Sequence, residues 1–337
     1  MTPDQVLRRW VTRARRALVG PGADHAPTVL VEGADAPARP ARQPRGTRVG
    51  RALRFAAGFT VTLSVIGIGF AILSARLAQI HPDWSVTAEP AAGASYALAA
   101  GDATLRLLAA EDAYRDGFFL APERRRVRLA AFQAGAASSV AAFATVLDER
   151  RRRSDPDLAA IAAELGGLDF ADEEAFGALI SGRDALHRFA DRVEDGRARY
   201  DPSADVLLGL AQATQTAALA NTAELAARVR SNESLRLSAD AEASFYRARG
   251  EAYGWRLLLS AYGRDMPASV RARVEPALSD LVAATEDAAD YQPLFLLNGA
   301  QQSAAVPNHL AHLAVKLTQV SAAAERLARD LRTQPPA

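Results

Sequence analysis

Residues 55–75, FAAGFTVTLSVIGIGFAILSA, form an uncharged run of twenty-one residues between Arg54 and Arg76. As an α-helix, this run is about 31 Å long, close to the thickness of the hydrocarbon core of a bilayer. Its apolar residues point all round the helix, which is typical of a segment that faces lipid on every side. We therefore predict a transmembrane helix over residues 55–75.

Two other interpretations of this run are a cleaved signal peptide and a buried helix of a soluble domain. A signal peptide has an apolar core of about 7 to 15 residues soon after a short basic start, whereas 54 residues precede this run. The missing amphipathic period disfavours a core helix. We prefer a retained anchor, and the small-xxx-small spacing of Gly67 and Ala71 allows two such helices to approach as a homo-oligomer.

The charges on the two sides of the run differ. Residues 1–54 hold eleven arginines and four acidic residues, a net charge of +7, while the whole chain is +1. Residues 77–337 therefore carry −7, since Arg76 contributes one positive charge. Basic flanks of a span stay in the cytoplasm. We predict a single-pass protein with a cytoplasmic amino terminus and the large carboxyl-terminal part on the other side of the membrane.

The amino-terminal 54 residues divide into two segments. Residues 1–19 predict a basic amphipathic helix, in which Trp10 belongs to an apolar stripe. Residues 3–19 of such a helix can lie on anionic lipid of the inner leaflet, and the alternative is a solvated or partner-bound helix. Residues 20–54, rich in Arg, Pro and Ala, predict a disordered cytoplasmic linker. No groove-reading module accompanies the arginines, so we expect no nucleic-acid partner.

Residues 77–335 predict an α-helical domain, because period-two alternation is missing and alanine stands where β-branched residues would be expected. The helix-period segments are residues 95–115, 125–153, 172–198, 203–230, 240–262, 268–288 and 308–331. Long helices with short connections indicate antiparallel packing. The predicted fold class is therefore all-α, with one amino-terminal transmembrane helix followed by an antiparallel multi-helix bundle.

Three segments near the carboxyl end form a recognisable pattern: FYRARGEAYGWRLLLSAY (residues 245–262), PLFLLNG (293–299) and PNHLA (307–311). They resemble the signature region of the domain of unknown function 2333 family, which contains single-pass envelope proteins of proteobacteria. The resemblance implies a bacterial inner-membrane anchor with a periplasmic helical domain, and it implies no activity. The family-motif residues, whose role is unknown, are Phe245, Tyr246, Arg249, Gly250, Asn298, Gly299, Asn308 and His309.

His309 and His312 are spaced to share one face of a helix. A metal site needs at least one further ligand supplied by the fold, and the sequence has no HExxH or Glu-x-x-His pattern. We prefer the alternative in which Asn308 caps the last helix and His309 packs or forms hydrogen bonds locally. We therefore predict no metal site.

No other set of residues predicts a catalytic centre. The charged residues of the motif helix, Arg247, Arg249, Glu251 and Arg256, are expected to form structural ion pairs. The chain lacks the phosphate-binding loop, the dinucleotide fingerprint and the nucleophile elbow. It has no cysteine, which excludes a thiol nucleophile, an iron–sulfur cluster, a covalent c-type haem and disulfides from this chain. We expect no cofactor.

These patterns favour a non-enzymatic structural or adaptor role, in which the periplasmic domain binds other envelope proteins. The alternative is an envelope enzyme that acts on lipid or cell-wall material in a cleft between helices near Asn298 and His309. A sensor fits less well, because the cytoplasmic side has no predicted output domain. A deep polar pocket with clustered carboxylates near Asn298 would favour the enzyme, and a filled apolar seam would argue against it.

Overall fold

The computed structural model describes Ser64 and residues 95–111, 122–151, 153–168, 174–231, 237–299 and 307–333. All of these residues belong to one compact unit, Val61–Ala337. The predicted amphipathic helix, residues 1–19, and the predicted linker, residues 20–54, lie outside the described residues. So does the predicted span, residues 55–75, apart from Ser64, which is helical and exposed.

Helices account for the secondary structure of the described residues, which contain no β-strand; this confirms the all-α fold class. An isolated antiparallel bridge joins Asn298 to Asn308. The eight described helices are α1 (Tyr96–Glu111), α2 (Pro122–Glu149), α3 (Pro156–Leu165), α4 (Glu174–Glu194), α5 (Ala204–Ser231), α6 (Ala239–Asp265), α7 (Ala268–Ala289) and α8 (His309–Thr333).

Seven of these helices coincide with the predicted helical segments, and their ends differ by a few residues. The exception is α3, which no predicted segment covers, because Asp155 and Pro156 come shortly after the segment 125–153 and a proline there is typical of a helix end. The same two residues also begin a new helix. The Asp155 carboxylate accepts a hydrogen bond from the backbone N–H of Asp157 at 3.1 Å, and Pro156 occupies the first helical position, which suits its fixed φ.

The largest helix–helix contact joins α2 to α6, and the next largest joins α5 to α8. Two glycines allow α2 and α6 to approach closely. A Cβ atom on Gly250 would lie 2.0 Å from the carbonyl oxygen of Phe132, and one on Gly135 would lie 2.0 Å from that of Arg247. Any larger residue at these two positions would push the helix backbones apart.

The sequence predicts one broad apolar face on α5, and the structure buries seven of its nine positions, while Ala217 and Val229 are half-buried. Its positions recur at helical spacing and point into the core, as expected for one stripe of an amphipathic helix. The buried members of this face are Val206, Leu207, Leu210, Thr214, Ala218, Asn221 and Leu225. The facing helix α8 supplies a matching stripe, which consists of Leu310, Leu313, Leu317, Val320, Ala324, Leu327 and Leu331.

Part of α2, Val127–Glu149, is the one helical stretch among the described residues that is long and apolar enough to cross a membrane. However, 72% of its most apolar window is buried inside the protein. A central helix of a soluble domain has the same length and composition. Because α2 also forms the largest contact with α6, most of its apolar stretch is already covered by protein.

Candidate functional site

The family-motif residues come together where the middle of α6, the carboxyl end of α7 and the amino end of α8 meet. Tyr291 joins the two halves of this group: its ring centroid lies 6.0 Å from that of Phe245 and 6.2 Å from that of His309. Gly250 instead faces α2. We call the group the motif cluster; it comprises Phe245, Tyr246, Arg249, Tyr291, Asn298, Gly299, Asn308 and His309.

Arg249 is fully buried and closes the end of α7. Its Nε and Nη2 atoms donate hydrogen bonds to the carbonyl oxygen of Ala289 at 3.0 and 2.8 Å, and Nη2 also donates to Oε1 of Gln292 at 3.2 Å. Ala289 is the last residue of α7, so its carbonyl has no partner within the helix. A cation at this end also complements the helix dipole.

The positive charge of Arg249 has little direct compensation. Burial lowers the pKa of Arg249 to about 10, against the opposing influence of Tyr246 and Asp290, so the side chain stays charged at neutral pH. Within the described parts of the chain, Nη1 of Arg249 and Nε2 of Gln292 are buried without a hydrogen-bond partner. Each buried unpaired donor costs about 1–3 kcal/mol.

The ion pairs predicted for the motif helix are only partly present. Arg256 does form one, with Glu286, at 3.1 Å. The prediction is wrong for Arg249, whose partners are a carbonyl and an amide. Glu251 accepts a hydrogen bond from Nδ2 of Asn221 at 2.6 Å, and burial raises the pKa of Glu251 despite this bond. These contacts tie α6 to α5 and α7 and perform a packing role.

Tyr246 lies between two arginines. The guanidinium carbons of Arg128 and Arg249 are 5.4 and 5.5 Å from the centroid of its ring, within the range of cation–π contacts. Arg128 also pairs with Glu242 on the same helix as Tyr246, at 3.1 Å. Burial raises the pKa of Tyr246, and the two arginine charges only partly oppose that effect. The phenol is therefore neutral, and the stack is a buried structural element.

Asn308 connects the loop that follows α7 to the start of α8. Its Oδ1 atom accepts a hydrogen bond from the backbone N–H of Ala311 at 3.0 Å, so it caps α8 as the sequence predicts. Its Nδ2 atom donates to Oδ1 of Asn298 at 2.8 Å and to the carbonyl oxygen of Gly299 at 2.9 Å. All the hydrogen-bonding atoms of the Asn308 side chain are therefore engaged within the protein.

His309 forms local hydrogen bonds, as predicted. Its Nδ1 atom accepts a hydrogen bond from the backbone N–H of Leu297 at 3.0 Å, and its own backbone N–H donates to the Leu297 carbonyl at 3.0 Å. Burial lowers the pKa of His309, and the neighbouring His312 lowers it further. We assign a neutral ring with its proton on Nε2, because Nδ1 acts as an acceptor. That tautomer has no free lone pair for a metal ion.

His312, one turn further along α8, contacts Tyr291. Its Nδ1 atom lies 3.3 Å from the hydroxyl group of Tyr291. His187, which lies on α4, contacts Asp102 through Nε2 at 2.7 Å. Among the described side chains, no group of three or more residues is placed to hold a metal ion.

Cavities occur elsewhere in the domain. Three of them, with volumes of about 180, 290 and 710 Å³, are lined by residues outside the motif cluster. Phe295 lies at the outer surface beside the cluster and is 45% exposed. The motif cluster is therefore built largely from buried side chains, and Phe295 is an exposed aromatic residue beside it.

Sequence reasoning missed three contributors to this junction: Ala289, Tyr291 and Gln292. Tyr291 and Gln292 directly precede the PLFLLNG segment, and an aromatic residue next to a motif was a usable signal. The partnership of Arg249 with Ala289 had no such signal, because the two residues are 40 positions apart.

Comparison of the chain with protein-family models, with curated proteins and with solved structures finds no match. The resemblance to the domain of unknown function 2333 family therefore stays a prediction.

Proposed function

We propose that this protein is anchored in a bacterial inner membrane by residues 55–75 and acts as a non-enzymatic adaptor. Residues 1–54 lie in the cytoplasm, where residues 3–19 contact the inner leaflet. Residues 77–335 form an antiparallel helical bundle in the periplasm, and this bundle holds other envelope proteins in place. The role requires neither a cofactor nor a nucleic acid.

The observation that carries the adaptor role is the internal use of the polar motif residues. Tyr246, Arg249, Asn308 and His309 are buried, and their bonds run to the backbone and to neighbouring side chains. A general acid or base must reach the proton that it moves, within hydrogen-bond distance of the substrate. This geometry supports a structural function of the motif and weighs against the alternative, an envelope enzyme with a cleft near Asn298 and His309.

The topology is supported by the charge difference, +7 over residues 1–54 against −7 over residues 77–337. Reporters fused after Ala337 test it in growing cells. We expect alkaline phosphatase to be active there and a cytoplasmic fluorescent protein to be dark. The same reporters fused after Arg54, before the run, serve as the control and should give the reverse pattern. A fluorescent fusion at Ala337, or a chain that washes off membranes at high salt, would refute the anchor.

The adaptor role is tested by photo-crosslinking in intact cells. A photoreactive phenylalanine analogue replaces Phe295, beside the motif cluster, or Ile180, which is similarly exposed on α4 (45% and 42%). We expect discrete adducts with envelope proteins from position 295, identified by mass spectrometry, and fewer from position 180. Adducts only at position 180 would move the contact surface to α4. No envelope partner from either position, in cells where the protein is abundant, would count against an adaptor.

A further inference from the structure

A groove of about 710 Å³ lies where the carboxyl end of α2, the α4 helix and the connection from α4 to α5 meet. It is separate from the motif cluster. Its charged lining consists of four arginines and two aspartates, a net charge of +2: Arg150, Arg151, Arg153, Arg199, Asp201 and Asp205. Such a concentration of guanidinium groups around one concavity attracts anions.

Most of these arginines are available for a ligand. Within the described parts of the chain, Arg150 and Arg153 have no carboxylate within 4.0 Å, and both side chains are exposed. Arg199 pairs with Asp201 at 3.4 Å, but the two side chains are 83% and 58% exposed. Pairs that are so exposed contribute little, because water and salt screen them. An anion that enters the groove would therefore break few existing ion pairs of these arginines.

Arg151 is the exception, because it is held in place. Its guanidinium carbon lies 5.5 Å from the ring centroid of Phe189, and its Nη2 atom is 3.5 Å from the Asp155 carboxylate. Asp155 already receives a closer bond from Arg192, at 2.5 Å. The charge of Arg151 is therefore oriented by its neighbours without being the main partner of Asp155. A preoriented cation loses less conformational entropy when a ligand binds.

The remaining lining consists of three apolar helical residues, Leu147, Phe189 and Val206, and of Tyr200 and Ser203 in the connection from α4 to α5. Ser203 directly precedes the first turn of α5. The amino end of a helix carries a partial positive charge that favours phosphate groups. The volume lies in the range of about 300–1,000 Å³ that is usual for small-molecule sites.

We propose that this groove binds a phosphate-bearing anion. The guanidinium fork matches the oxygens of a phosphate group better than a point charge does, and several forks around one concavity suit a doubly charged group. Such a phosphate comes from a phospholipid headgroup or from a soluble phosphorylated molecule. This proposal does not depend on the adaptor role. A groove that binds phosphate would not show that the protein is an adaptor, and a failed crosslinking experiment would not show that the groove is empty.

Isothermal titration calorimetry on the full-length protein in a neutral detergent tests this inference. One arm uses inorganic pyrophosphate, and the other compares dihexanoyl phosphatidylglycerol with dihexanoyl phosphatidylcholine. Succinate serves as an anion without phosphate. The test variant is R150Q/R153Q. The matched control is R230Q/R332Q, which removes two exposed arginines from α5 and α8, outside the groove.

We expect pyrophosphate or the phosphatidylglycerol to bind more tightly than succinate. R150Q/R153Q should raise the Kd about tenfold, because two charged hydrogen-bond donors are lost, while R230Q/R332Q should stay within about twofold of the wild type. Binding of pyrophosphate alone assigns a soluble ligand, and binding of phosphatidylglycerol but not phosphatidylcholine assigns a headgroup. The proposal would be overturned if neither phosphate compound bound the wild type, or if succinate bound equally well. It would also be overturned if both variants kept their helix content and lost affinity to the same extent.

Discussion

The guanidinium of Arg249 on α6 donates two hydrogen bonds, at 3.0 and 2.8 Å, to the carbonyl oxygen of Ala289 at the end of α7. Replacing Arg249 with methionine keeps much of the side-chain volume but leaves that carbonyl and Oε1 of Gln292 without a donor. We expect R249M to lower the free energy of unfolding by about 2–4 kcal/mol, although it also removes a buried charge. Urea denaturation followed by circular dichroism measures this.

Arg247 supplies the control for that variant. It is exposed on the same helix, two positions earlier. It forms no ion pair within 4.0 Å among the described residues, and its charge acts on Glu251 only as a minor influence that lowers the pKa of that carboxyl. R247M should therefore change the unfolding free energy by no more than about 0.5 kcal/mol. If R249M proved as stable as R247M, the bonds to the end of α7 would not contribute to stability.

Gly250 and Gly177 predict opposite effects of the same substitution. A Cβ atom on Gly250 would lie 2.0 Å from the Phe132 carbonyl oxygen, whereas one on Gly177 meets nothing within 4 Å. G250A should cost about 3 kcal/mol or more, because backbone atoms of α2 must move. G177A should raise the free energy of unfolding by about 0.5–1 kcal/mol, because alanine has a higher helix propensity than glycine. Thermal melting of both variants tests this, and similar shifts in Tm would contradict the close approach of α2 and α6.

The buried imidazole of His309 should make stability depend on pH. Burial, followed by the influence of His312, lowers the pKa of His309 below its usual 6.5. As the pH falls below about 6.5, the unfolded chain takes up a proton that the folded protein still excludes, so stability is lost. We therefore expect a lower urea midpoint at pH 5.5 than at pH 7.5. Protonation also removes the acceptor that Nδ1 offers to Leu297.

Two histidine variants separate this effect from other titrations. H309N keeps an acceptor near the Nδ1 position but cannot be protonated. The urea midpoints of this variant at pH 5.5 and pH 7.5 should therefore differ by less than those of the wild type. H312N should reduce the difference in urea midpoint less than H309N does, because burial lowers the pKa of His309 more than His312 does. An H309N protein with the full wild-type pH dependence would assign the effect to other groups.

Asp155 combines a helix cap with a charge pair, and two variants distinguish them. Although burial alone would raise it, the pKa of Asp155 is lowered by the hydrogen bond from Arg192, the backbone N–H of Asp157 and nearby arginine charges. D155N keeps the cap and loses the charge, and it should cost about 1 kcal/mol. D155A also loses the cap and should cost about 2 kcal/mol.

The control for the Asp155 variants is D195N, which breaks an exposed contact with Arg197. It should leave the unfolding free energy within about 0.5 kcal/mol of the wild type. Equal costs for D155N and D155A, by urea denaturation, would mean that the cap to Asp157 does not stabilise α3.

Much of the local structure could be predicted from the sequence because it depends on residues within one or two helical turns. Periodicity located seven helices, and the position of Asn308 before an apolar stripe predicted the cap of α8. The failure at α3 is also local: a ten-residue helix after a proline was concealed by the end signal of α2. A proline after a helix is expected both where the chain leaves the helix and where a second helix begins. The local sequence alone does not distinguish these two situations.

The sequence by itself determined the all-α class, the apolar face of α5 and the local role of Asn308 and His309. Only the tertiary structure decided that Arg249 closes α7, that Arg128 pairs with Glu242 across 114 positions, and that Arg150 and Arg199 line one groove. The physical reason is range. Helical hydrogen bonds and caps join residues up to about four positions apart, so spacing encodes them. Contacts between distant residues exist only once packing has brought the helices together.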